Sequence, residues 1–193
     1  MTINIPPKSE LVNKVHKYGG VYGKISYLSS NQVGIDINNP NGDDIEVQLR
    51  DYKGKVIKTN FSYFYSTFSL SKNKLYSYRI RGVYYVNGEY VPYTNWSNSV
   101  YFTTAQYKVT RVGKGRKVKI KTPKVAGIKN YKIYMSLKKN GGWKKLKTVK
   151  AGKSIIGSKF KGKPFKLYTN YYYKIVPNKG SYYINGFYFY NKR

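Results

Sequence analysis

The sequence predicts an all-β protein of two tandem β-sandwiches, and three observations carry that expectation. Apolar and aromatic residues recur with a period of two in short runs. Clusters of Gly, Asn and Pro divide the runs, and the two halves of the 193-residue chain repeat one another. Strand side chains alternate between the two faces of a sheet, so each run offers one face to a core and the other to water.

The elements follow in order. Residues 1–19 read as an N-terminal arm, because Pro6-Pro7 opposes regular structure and Gly19-Gly20 ends the segment. A helical turn or two is expected at most over 9–17. A first domain over 20–105 carries runs at 21–28, 32–37, 45–51, 56–59, 63–70, 76–86 and 99–103. Asn-Asn-Pro-Asn-Gly at 38–42 and Lys-Gly at 53–54 are turn chemistry between them. A second domain over 106–193 carries runs at 107–112, 117–122, 130–137, 143–149, 154–160, 170–176 and 182–190. About seven strands per domain of roughly 90 residues suits a sandwich.

The internal repeat aligns the halves. Val33, Ile35 and Ile37 alternate like Val118, Ile120 and Thr122, and Ile45, Val47 and Leu49 like Tyr131, Ile133 and Met135. Leu70 precedes Tyr76 by six positions, as Phe165 precedes Tyr171. The segment from Leu75 to Val83, the turn at Val86-Asn-Gly-Glu, and Asn95-Trp-Ser-Asn-Ser-Val with Phe102-Thr-Thr resemble the last strands of the fibronectin type III family. Lys117-Val-Lys-Ile-Lys, Asn130-Tyr-Lys-Ile-Tyr and the stretch from Lys138 to Val149 resemble its lysine-rich version in surface proteins of Gram-positive anaerobic bacteria. The resemblance covers about residues 20–190. It implies immunoglobulin-like sandwiches in which Tyr76 and Tyr171 are corner tyrosines tying a loop to the penultimate strand. The chain departs from the pattern at the end of the second strand, where Ile37 and Thr122 stand in place of a Trp.

Charge is partitioned sharply. The net charge is +30. Up to Ala105 there are 12 basic and 7 acidic residues; beyond it there are 25 basic residues and no acid. A body so one-sided repels itself, and a negatively charged partner is the natural compensation. The lack of Cys excludes disulfides and thiol chemistry. No run approaches the roughly 18 apolar residues that a membrane-spanning helix needs, so no membrane insertion is expected.

Catalysis is not expected. A carboxylate pair is unavailable in the second half, and His16, the one histidine, sits in the predicted arm. No cofactor motif is present, since Gly113-Lys-Gly and Gly162-Lys-Pro lack phosphate-loop spacing. The oxygen-rich stretch Asp36, Asn38, Asn39, Asn41, Asp43 and Asp44 invites a calcium reading, but turns need the same residues and no metal is expected there.

Alternation then places the cations. With Tyr131, Ile133, Tyr173 and Ile175 inward, Lys132, Tyr134, Tyr172 and Lys174 lie on the outer face of one sheet. Lys138, Lys139, Trp143, Lys144 and Lys145 extend this mixture of cations and rings. The alternative face is that of Lys117, Lys119 and Lys121 on the opposite sheet. Expected partners are an acidic protein assembly or an anionic polymer such as wall polymer or acidic polysaccharide. Nucleic acid is a further candidate, and a multi-copy assembly fits the first of these. The start lacks a signal-peptide pattern, which favours a virion component; a secreted cell-surface adhesin is the other expectation. A plainer role for the lysines is to guard edge strands against aggregation.

Overall fold

The computed structural model describes residues 16–18, 21–40, 42–113, 116–187 and 189, and no helix occurs among them. They fall into two compact units. The first runs up to Thr104 and takes in Lys179–Ser181; the second holds Ala105–Asn178 and resumes at Tyr182.

The first unit contains β1 (His16–Tyr18), β2 (Val21–Leu28), β3 (Gln32–Asn38), β4 (Asp44–Asp51), β5 (Val56–Ser62), β6 (Tyr65–Ser69), β7 (Leu75–Val86), β8 (Glu89–Pro92) and β9 (Val100–Thr103). One sheet has the order β1-β2-β3-β6 and the other β5-β4-β7-β8, with β9 also pairing β7; every pairing is antiparallel. Val33 and Ile35 from one sheet meet Val47, Leu49, Tyr78 and Ile80 from the other in a single buried cluster. The Tyr78 hydroxyl donates to the Gly23 carbonyl at 2.9 Å, and burial pushes its pKa well above the ordinary tyrosine value.

The second unit contains β10 (Lys108–Arg111), β11 (Val118–Lys121), β12 (Asn130–Ser136), β13 (Lys144–Lys150), β14 (Ser154–Gly157), β15 (Lys159–Phe160), β16 (Lys163–Pro164), β17 (Tyr171–Pro177) and β18 (Tyr183–Phe187). Its sheets run β10-β11-β14 and β13-β12-β17-β18. Val118, Met135, Phe165, Tyr171 and Phe189 pack between them.

The two units share a strand plan, and their corner tyrosines match. The Ser71 amide donates to the Tyr76 hydroxyl at 2.9 Å, and the Lys166 amide donates to the Tyr171 hydroxyl at 2.8 Å. Each tie spans five residues, as the resemblance implied. Where a Trp was absent, the second unit buries Thr122, whose hydroxyl donates to the Lys153 carbonyl at 2.8 Å.

Three expectations are corrected. His16–Tyr18 form strand by pairing with β2, so the helical turn over 9–17 fails at its end; residues 1–15 and 19 of the arm lie outside the described residues. The run at 154–160 is broken at Ser158: β14 ends at Gly157, and β15 pairs instead with β16 through a two-residue turn in which Lys161 and Gly162 have positive φ, 51° and 77°. A further strand, β8, follows Asn87-Gly88, whose φ values of 50° and 89° make the same kind of turn. Of the oxygen-rich stretch, Asp36, Asn38 and Asp44 lie in strands, and between them the Asn39 side-chain amide donates to the Asp43 carbonyl. At the Lys53-Gly54 turn, the Asp51 carboxylate accepts the amides of Lys53 and Lys55, each at 2.9 Å.

Candidate functional site

The sheet β13-β12-β17-β18 positions the first candidate set. Tyr131, Ile133, Tyr173 and Ile175 are buried, which turns the intervening side chains outward. Lys145 on β13, Tyr134 on β12 and Lys174 on β17 stand opposite one another in one cross-strand row. Lys132 heads the next row with Thr148 and Val176, and Ser136 pairs Tyr172 on the other side. Tyr172 lies over Gly186, where an added Cβ would approach the ring to 3.2 Å.

Lys174 is the centre of this face and is already partnered. Its ammonium sits 5.1 Å from the Trp143 ring and 5.4 Å from those of Tyr134 and Tyr182. The negative faces of three rings hold the charge in place and half-bury it. Lys174 therefore organises the aromatic part of the face, while Lys132 and Lys145 project freely into water.

The hairpin beyond β12 carries Lys138 and Lys139, both exposed. The Ser136 hydroxyl donates to the Gly141 carbonyl and accepts the Lys138 amide at 3.0 Å, fixing this turn. Lys144 does not join Lys145. It pairs with Met135, whose side chain points inward, so Lys144 has the opposite parity and leaves the outer face at the sheet edge. The alternative face keeps its three cations: Lys117, Lys119 and Lys121 are exposed while Val118 and Ile120 are buried. Lys108, opposite Lys121, joins them, a neighbour that the β10 alternation could have supplied. With no acid after Glu89, neither face has a side-chain carboxylate of its own half to pair with.

No family model matches the chain, and no curated protein matches its sequence. Solved structures do resemble it. A two-domain fibronectin type III segment of chicken tenascin is 12% identical at a TM-score of 0.37, covering 91% of this chain and all of that one. The central fibronectin III array of RIM-binding protein is 11% identical at a TM-score of 0.30, covering 95% of this chain and 63% of its own. Three such domains of chicken CNTN1 are 10% identical at 0.29, covering 86% and 65%. With paired sheets and corner tyrosines in both units, the fold is fibronectin type III-like.

On this scaffold the first unit handles charge differently. Trp96 packs against the guanidinium groups of Arg79 and Arg81, at 4.0 and 4.3 Å from its ring centre. Arg81 pairs with the buried Glu46 at 2.6 Å, and Arg79 donates twice to the Gln48 side-chain carbonyl at 3.1 and 2.8 Å. Desolvation, then the charges of Arg50 and Arg81, lower the Arg79 pKa.

Alternation also missed an exposed aromatic corner on this unit. Pairing of β7 with β4 ends at Val83 and Asp44, yet β7 continues to Val86 beside β8 alone. Tyr84 and Tyr85 are thus exposed together with Tyr63, Phe61 and Tyr90. The signal was the length of the 76–86 run relative to 45–51, which leaves its end without a second neighbour.

Proposed function

We propose that the chain is a non-catalytic structural or accessory component of a surface assembly, a virion or a cell-envelope layer, whose basic second unit docks on an acidic partner surface. The observation that carries this reading is the charge partition: all 25 cationic residues beyond Ala105 occur in a half with no acid. The mixed face around Lys132, Tyr134 and Lys145 is the favoured contact, and Lys117, Lys119 and Lys121 the alternative.

A second reading is a secreted bacterial adhesin that binds anionic wall polymers or glycans. Its support is the likeness of 117–121 and 138–149 to lysine-rich surface modules. A nucleic-acid binder has the weaker support of cations interleaved with rings.

The test is titration of the full chain against duplex DNA, teichoic acid and an acidic folded protein at several salt concentrations. With six or more contacts to a linear polyanion, affinity falls by roughly three orders of magnitude or more between about 50 and 200 mM salt. Docking on a folded acidic surface gives a shallower slope because apolar area is buried too. Replacing Lys132, Lys138 and Lys145 by Gln weakens binding if the mixed face is used; replacing Lys117, Lys119 and Lys121 weakens it if the other is. Binding unchanged in both variants, or absent at low salt, overturns the docking reading.

A further inference from the structure

We propose that the aromatic corner of the first unit is a binding site for a neutral saccharide. This goes beyond the docking reading and involves the other unit. Tyr63, Tyr84 and Tyr85 line a pocket of about 520 Å³ together with Asp43 and Asp44. That size lies in the range of ligand pockets. Tyr85 is 62% exposed and Tyr63 56%.

The rings are held in place without a ligand. Tyr84 stacks on Tyr93 at 4.2 Å, and the Tyr93 hydroxyl donates to the Asp43 carboxylate at 3.2 Å. Gly82 makes room for Tyr93, since a Cβ there would stand 2.4 Å from the ring. On the other side Tyr85 packs on Tyr90 at 4.9 Å, and Tyr90 lies flat on Phe61 at 3.9 Å. Preorganisation of this kind reduces the ordering cost of binding.

The chemistry selects the ligand. Ring faces attract polarised C–H groups or cations. Carboxylates only accept hydrogen bonds, so the ligand must donate. Among the described residues the one ion pair is Arg81 with Glu46, so neither Asp43 nor Asp44 is neutralised by a neighbouring cation. An anionic ligand meets these two carboxylates, and a cationic one meets the field of a +30 protein. A pyranose ring carries no charge and offers an apolar C–H face beside hydroxyl donors. It satisfies both groups.

The test uses the full chain in roughly 0.5 M salt, where polyanion contacts are screened. Binding is measured by co-sedimentation with cellulose and by calorimetry with soluble neutral β-glucan, galactomannan and dextran. At least one probe is expected to bind. Tyr85→Ala and Asp44→Asn should each weaken that binding about tenfold, the worth of a ring face or a charged hydrogen bond. Lys132→Gln with Lys145→Gln should leave it unchanged, which separates this site from the docking face. Thermal melting establishes that the variants remain folded, as exposed side chains allow. No binding to any probe overturns the proposal, as does undiminished binding by folded Tyr85→Ala. A change in self-association of Tyr85→Ala, seen by sedimentation, also overturns it and makes the corner an interface between copies.

Discussion

The two units build one strand plan with opposite treatments of charge. The first gives two of its cations close local partners: Arg81 has Glu46, Arg79 has Gln48, and Trp96 covers both guanidiniums. The second has no acid to offer, and only the cation at Lys174 is drawn into a ring cluster on its mixed face. A β-sandwich is specified by its inward residues, and the outward ones are left to take either course.

The largest shared effect should come from the corner tyrosines. Tyr76→Ala and Tyr171→Ala should each destabilise their own unit by about 3–5 kcal/mol, as for other buried large aromatics. The Phe variants should lose only the loop tie, about 1 kcal/mol. Denaturant melts followed by unit-specific probes check this; a unit indifferent to loss of its tyrosine would end the equivalence.

Alkali should separate the units. Burial raises the pKa of Tyr107, Tyr131 and Tyr173 in the second unit and of Tyr78 in the first. Above pH about 10 the unfolded tyrosines lose protons that the folded ones keep. Stability then falls with rising pH, by about 1.4 kcal/mol per unit for each such residue. The second unit should unfold first. Thermal melts from pH 9 to 11 test the order, and equal sensitivity would show that relief of lysine repulsion compensates.

Smaller contrasts follow from two glycines. Gly82→Ala would drive a Cβ to 2.4 Å from the Tyr93 ring and should cost about 1–3 kcal/mol. Gly186→Ala approaches Tyr172 at 3.2 Å and should cost less, because that ring can give way. Of similar size, Trp96→Ala should cost about 1–2 kcal/mol by uncovering two guanidiniums; smallest of all, Lys174→Met should be near neutral because it removes a repelled charge. Chemical denaturation of the four variants ranks these effects; a costly Lys174→Met would show that the ring cluster depends on its cation.

Much of this was legible in the strand alternation. Val33, Ile35, Val118 and Ile120 are buried as their parity requires, and the resemblance to the fibronectin type III pattern implied both corner tyrosines, Tyr76 and Tyr171. Parity fails where pairing is irregular. The register shift at Ile133/Tyr134 sets Lys145 rather than Leu146 opposite Tyr134, and a bulge leaves no trace in a lysine-rich run. Alternation also says which face a residue takes, without saying whether a neighbouring strand still lies beneath it. Tyr84 and Tyr85 went unnoticed for that reason: they stand on a two-stranded ribbon that overruns its sheet.

The chain has two tryptophans, one in each unit, and both rest against cations. A positive charge beside an indole shifts its emission, so each ring is an optical gauge of its own surroundings. Trp96→Phe leaves Trp143 to report on the second unit's outer face, and Trp143→Phe leaves Trp96 to report on the first. Fluorescence from these two variants can therefore assign a bound ligand, or an unfolding step, to one half of an uncut protein.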